Sequence, residues 1–185
     1  MKTTGYCSFI KEFTDALKAH PALEREINVI TISSGGWATH EWSLDTVFKQ
    51  ILNCDVAIIP LPDGVEYSVK STNRLTMFMA LGMPVIATPI PSYVDIVTDH
   101  KNSIFAKTLD DYAIAINMLE SKDLRRKLGI EGRLLAQTNY NQTTIGRKWI
   151  NTCASLNTSP SQPRHHQVTW HTKLLNTCLS FGIVK

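Results

Sequence analysis

The sequence predicts an α/β domain, a parallel sheet with helices on both sides in a three-layer sandwich. Three observations predict it. Short β-branched and apolar runs alternate along the chain with segments whose apolar residues recur at helical spacing. The strand runs are apolar on both faces, the pattern of strands covered on both sides. The links are short, so successive strands are joined by right-handed crossovers and lie parallel. A length of 185 residues suits one domain with a sizeable core.

Each element has its own signal. Tyr6, Phe9, Ile10, Phe13 and Leu17 repeat at helical spacing over residues 5–20, and Pro21 ends that helix. Ile27, Val29, Ile30 and Ile32 form a buried strand, followed by the turn Ser33-Ser34-Gly35-Gly36. Ser43 is placed to cap a helix with Leu44, Val47, Phe48, Ile51 and Leu52 on its apolar side. Residues 55–61 read as a central strand and residues 62–69 as a polar loop. Ser71 is placed to cap a helix that runs to Leu81 and stops at Gly82. Strands follow at 84–88 and 103–106, with a short helix at Tyr93–Val97 between them. Thr108-x-x-Asp111 opens a helix as a capping box. Two more helices cover about 122–138 and 143 to the Cys153 region.

Residues 1–157 thus form a Rossmann-like domain. From Thr158 the composition shifts to Ser, Pro, Gln and His, so residues 158–185 read as a low-order tail in which Leu174–Val184 could pack locally. The chain opens on a helix, whereas a doubly wound domain opens on a strand, so the first strand reads as missing. Such a gap leaves a sheet edge for a partner.

Composition excludes several classes. The net charge of +3 gives no basis for a nucleic-acid partner. Cys7, Cys54, Cys153 and Cys178 form no C-x-x-C pair, which argues against a zinc site or disulfide framework and fits a reducing cytoplasm. His165-His166 has no partner set for a metal. No segment has the apolar length of a transmembrane span, and Met1–Cys7 lacks a signal-type stretch.

Chemistry is expected beyond the carboxyl ends of the strands. The stretch from Asp63 to Arg74 runs from a strand end into a helix start, where free N–H groups and the helix dipole favour an anion. Lys70 and Arg74 add charge, and Ser71, Thr72 and Asn73 add hydrogen-bonding groups, so a diphosphate suits it. The same residues also read as a simple Ser71 cap on a solvated basic turn. Glu66 and Lys70, four apart, also read as a surface ion pair.

Three segments in order carry a family resemblance: Asp55-Val-Ala-Ile-Ile-Pro60-Leu61, Lys70-Ser71-Thr72-Asn73-Arg74-Leu75, and Met79-Ala80-Leu81-Gly82-Met83-Pro84-Val85-Ile86-Ala87. Together they resemble the C-terminal, donor-binding domain of GT-B glycosyltransferases, which have two facing Rossmann-like domains. The likeness covers about residues 5–155, including the Leu124-Arg125…Leu128-Gly129…Gly132-Arg133 and Trp149 helices. It implies that Lys70, Ser71, Asn73 and Arg74 face the diphosphate of a nucleotide-sugar donor, a substrate rather than a cofactor. It further implies that Asp63 to Tyr67 lie beside the transferred sugar. The turn after the first strand would then lie near the base, with Trp37 or Trp42 available to stack on it. Many retaining members carry Glu-x7-Glu, and Val69 and Met77 occupy those positions here. Asp63 and Glu66 are the carboxylates left as catalytic candidates.

The resemblance implies transfer from the donor to an acceptor held by a second, N-terminal domain. No such domain is encoded in this sequence, so the chain reads as a fragment that needs that domain or a partner chain. Two alternatives stand beside this: a nucleotide-sugar epimerase or hydrolase on the same fold, and a non-catalytic α/β module that pairs with another protein.

Overall fold

The computed structural model describes residues 4–34, 36–157 and 181–184. Helix α1 (Thr4–Lys18) is followed by strands β1 (Val29–Ser33) and β2 (His40–Glu41) and helix α2 (Val47–Leu52). Strand β3 (Val56–Ile59), helices α3 (Val65–Ser68) and α4 (Asn73–Ala80), and strand β4 (Val85–Ala87) form the middle of the chain. Helix α5 (Pro91–Val94), strand β5 (Ile104–Phe105) and helices α6 (Leu109–Met118), α7 (Lys122–Asn139) and α8 (Gln142–Asn157) precede the last strand, β6 (Phe181–Val184).

The sheet order is β2-β1-β6-β3-β4-β5. The pairs β1–β2, β3–β4 and β4–β5 are parallel. The four strands expected from the sequence share one direction, since β1 and β3 are both antiparallel to β6. The whole is a mixed α/β architecture compatible with a Rossmann-like fold.

Three expectations are corrected here. The sheet is mixed rather than all parallel, because β6 lies between β1 and β3 and opposes both. Accordingly, residues 181–184 are not a low-order tail, while 158–180 and 185 lie outside the described residues. The gap expected from an absent first strand is also not seen: β1 and β3 both have β6 as a neighbour.

Side-chain alternation along β3 divides the core. Ala57 and Ile59 join a cluster with Leu75, Phe78 and Met79 of α4, whereas Val56 and Ile58 join one with Leu17 of α1 and Tyr112 and Ile116 of α6. Each fully buried side chain of this size stabilises the fold by about 1.5–3 kcal/mol. Helix α1 buries Ile10, Thr14 and Leu17, which fall on one face at spacings of four and three.

Caps follow the sequence in part. Thr108 and Asp111 form the expected reciprocal box: the Asp111 N–H donates to Thr108 Oγ1 (3.2 Å) and the Thr108 N–H donates to Asp111 Oδ2 (2.8 Å). The backbone N–H groups of Thr108 and then Lys107 hold the Asp111 carboxyl below its ordinary pKa. Thr108→Ala should cost about 1 kcal/mol at neutral pH, read as a lower denaturation midpoint. Because the folded pKa is the lowered one, the stabilisation from Asp111 is present above the unfolded carboxylate pKa and lost as pH falls through the folded value. The stability difference between wild type and Asp111→Asn should therefore shrink in acid. At α2 and α4 the expected caps are replaced: Thr46 and Thr72 take the N-cap positions, neither with a side-chain bond.

Candidate functional site

The carboxyl ends of β3, β4 and β5 lead into Pro60–Asp63, Thr88 and Lys107, and the segment 65–74 lies beyond β3. Gly64 has φ 148°, a value few side chains tolerate, and it turns the chain from the strand end into α3. The Glu66 carboxylate folds back on this turn: a Cβ on Gly64 would lie 2.9 Å from Glu66 Oε2. Glu66 makes no ion pair with Lys70 among the described residues, so that expected surface pair is not formed.

Lys70, Ser71 and Asn73 are exposed, and Arg74 is half-buried. The Lys70 ammonium lies 6.0 Å from the centre of the Tyr67 ring, and the Lys70 carbonyl accepts from Ser92 Oγ at 2.7 Å. Arg74 is positioned by Tyr6: its Nη1 donates to Tyr6 Oη at 3.1 Å, and Tyr6 Oη donates to the Pro60 carbonyl at 3.3 Å. The guanidinium is 6.0 Å from the Tyr6 ring centre, so attraction to the ring adds to the hydrogen bond. Neither cation is paired with a carboxylate among the described residues. Tyr93 is buried nearby; burial raises its hydroxyl pKa, and the positive charge of Arg74 opposes that rise.

No side chain caps the N-terminus of α4. The Thr76 hydroxyl bonds back to the carbonyls of Thr72 (3.1 Å) and Asn73 (3.2 Å), so it does not compete for the N–H groups of the first turn. The structure thus brings Lys70, Ser71, Asn73 and Arg74 together at one helix start next to a strand end.

The other sequence candidates lie on other segments. Trp42 packs against the core cluster of Ile32 and Val47, and its backbone N–H donates to the Ser33 carbonyl at 3.0 Å. Trp37 is half-buried, with its indole nitrogen buried and without a hydrogen-bond partner among the described residues. The turn these residues occupy includes β2, which the sequence pattern did not predict. Thr39 and Thr31 hold it: the Thr39 N–H donates to Thr31 Oγ1 at 2.9 Å and the Thr31 N–H to Thr39 Oγ1 at 3.2 Å. Asp63 is exposed and lines a cleft of about 220 Å³.

That cleft was not read from the sequence. Phe9 and Phe13 of α1 form one side, Pro60 and Pro62 the strand end, and Thr88, Lys107 and Tyr112 the far side. The α1 aromatics read as core residues from their spacing alone. Lys107 follows β5, so the same carboxyl-end rule that found Lys70 applies to it.

Among the described residues no group of three or more His, Cys, Asp or Glu is placed to hold a metal ion, and Cys7, Cys54 and Cys153 form no disulfide. No helix among them is long and apolar enough to cross a membrane. His165, His166 and Cys178 lie outside the described residues. No protein-family model matches the chain, and no curated protein matches it either.

Proposed function

We propose that the chain binds a nucleotide-sugar donor by its diphosphate and serves as the donor-binding half of a GT-B glycosyltransferase. On this reading the α/β body is a Rossmann-like three-layer sandwich acting in the cytoplasm, and a second domain or partner chain supplies the acceptor. The observation that carries it is the convergence at residues 70–74. An uncapped helix start, two cations without carboxylate partners and two small polar side chains meet beyond one strand end. Fixed donors and cations of this kind stabilise the charge that develops on a leaving diphosphate. Acceptor positioning contributes several powers of ten to such a rate, so the chain alone should bind the donor and transfer poorly.

Lys70→Ala should weaken binding of a nucleoside diphosphate about ten- to hundred-fold, the worth of one charge-assisted contact. Arg126, exposed on α7, is the control and its replacement by Ala should change nothing. Calorimetric titration of both variants checks this. Unchanged affinity in Lys70→Ala would place the site elsewhere.

A second reading, the partner-binding module, has an observation of its own. Residues 147–156 of α8 are exposed all round, including Trp149, Ile150 and Leu156 at 68%, 69% and 69% exposure. An isolated helix of this length is marginal in water, so α8 is suited to pack on another surface. The two readings are compatible, since the donor-binding half of such an enzyme requires a partner domain.

A further inference from the structure

We propose that the cleft between α1 and the carboxyl ends of β3, β4 and β5 receives the heterocyclic base of the nucleotide, in place of the Trp37–Trp42 turn. This rests on the donor-binding reading above. The cleft adjoins the 70–74 segment through one residue. Tyr6 Oη accepts from Arg74 and donates to the carbonyl of Pro60, a residue of the cleft wall. The Tyr6 ring lies 6.3 Å from that of Phe9, which lines the cleft, and 5.8 Å from that of Tyr67, on the side of Lys70.

The lining chooses between a sugar and a base. Phe9, Phe13, Pro60 and Pro62 present flat apolar surface, which suits a planar ring. The hydroxyls at the floor are already engaged. Thr88 Oγ1 accepts from the Leu61 N–H at 2.9 Å and lies 3.0 Å from Tyr112 Oη, which donates to the Ile59 carbonyl at 3.1 Å. A sugar ring, with hydroxyls around its whole edge, would find only the Asp63 carboxylate and the Lys107 ammonium free to pair with them.

Two lining side chains remain uncommitted. Neither the Asp63 carboxylate nor the Lys107 ammonium has an ion pair among the described residues. A carboxylate accepts a ring N–H, and an ammonium donates to a ring carbonyl. Uracil and guanine carry both groups, whereas adenine has no carbonyl. A volume of about 220 Å³ lies below the roughly 300–1,000 Å³ of pockets that enclose a whole drug-sized ligand, so the cleft suits one ring.

The test titrates wild type, Asp63→Ala and Lys107→Ala with uridine diphosphate, guanosine diphosphate, adenosine diphosphate and inorganic pyrophosphate. Both variants alter exposed side chains and should fold, which circular dichroism checks. Wild type should bind uridine or guanosine diphosphate at least about ten-fold tighter than adenosine diphosphate or pyrophosphate. Each variant should lose about ten-fold or more for the preferred nucleotide and leave pyrophosphate unchanged. Leu109 also lines the cleft, so a third variant, Leu109→Trp, narrows it and should weaken the nucleotide and not pyrophosphate. If nucleotides and pyrophosphate bind wild type and the three variants alike, the base does not occupy the cleft, while diphosphate binding stands. Equal loss of pyrophosphate in Lys107→Ala would make Lys107 a phosphate ligand and overturn the assignment. No binding of any of the four to wild type would overturn both this inference and the donor-binding reading.

Discussion

Removing residues 181–185 should abolish cooperative folding. Strand β6 pairs with β1 from Val29↔Val184 to Ile32↔Phe181 and with β3 from Val56↔Val184 to Ile58↔Gly182. The Asp55 N–H also donates to the Val184 carbonyl at 2.8 Å. Without β6 the facing edges of β1 and β3 stand across a gap of roughly 9–10 Å, two strand spacings, too wide for direct hydrogen bonds. Each buried backbone group left unpaired costs about 1–3 kcal/mol, and a domain has only about 5–15 kcal/mol of net stability. A point variant gives a graded version. Val184 is 5% exposed and packs in the cluster of Leu17, Ile27, Val29 and Val56. Val184→Asp places an unpaired carboxylate there and should cost about 3–5 kcal/mol, the penalty of an uncompensated buried charge. Urea denaturation followed by circular dichroism measures both. An unchanged midpoint after removal of residues 181–185 would show that β6 does not join the two parts of the sheet.

Gly129→Ala should destabilise the protein although it improves helix propensity. On propensity alone, alanine at a helix interior gains about 1 kcal/mol over glycine. Here α7 lies against the end of α4, and a Cβ at Gly129 would run into the carbonyl oxygen of Gly82. The obstacle is backbone, and Gly82 itself is held at φ 75°, so it cannot rotate away without giving up the stop of α4. Gly132, one helical turn on, is nearly as close: a Cβ there would sit 3.2 Å from Met79 Cγ and 3.3 Å from the Asn102 carbonyl. Overpacking of this kind costs about 1–3 kcal/mol, and Gly129→Val should cost more than Gly129→Ala. The sign decides between the two effects: a higher melting temperature for Gly129→Ala would mean that α7 does not approach Gly82 this closely.

Much of the fold was legible in the sequence where one physical signal dominated. The β-branched runs at β1, β3 and β4, the paired partners Thr108 and Asp111, and the stop at Gly82 each depend on residues close in sequence. Strand β6 was not legible as a sheet strand, because its role comes from residues far away along the chain and from a slot between two other strands. Strand β2 is two residues long and both are exposed, so it has no apolar alternation to detect. Helix α3 lies in a stretch of mixed polarity, with no buried residue to mark a face.

The site was legible in the same uneven way. Residues 70–74 stand out as a candidate because strand end, helix start and charge coincide within a short stretch. The positioning of Arg74 by Tyr6 joins residues 68 apart, and the cleft collects residues from α1 to α6, so no local spacing announces either. The tryptophans illustrate the reverse case. Their chemistry is legible in the sequence, while their surroundings depend on distant residues, and Trp42 is half-buried against the core.

The central claim, that a diphosphate sits at the start of α4, is tested most directly by titrating isotopically labelled protein with uridine and guanosine diphosphates while following backbone amide resonances. The N–H groups of Asn73, Arg74 and Leu75 point out of the first turn of α4, so their resonances should move earliest and furthest, with Lys70 and Ser71 following. Saturating nucleotide that leaves residues 70–75 unmoved, whether or not other amides shift, would contradict it.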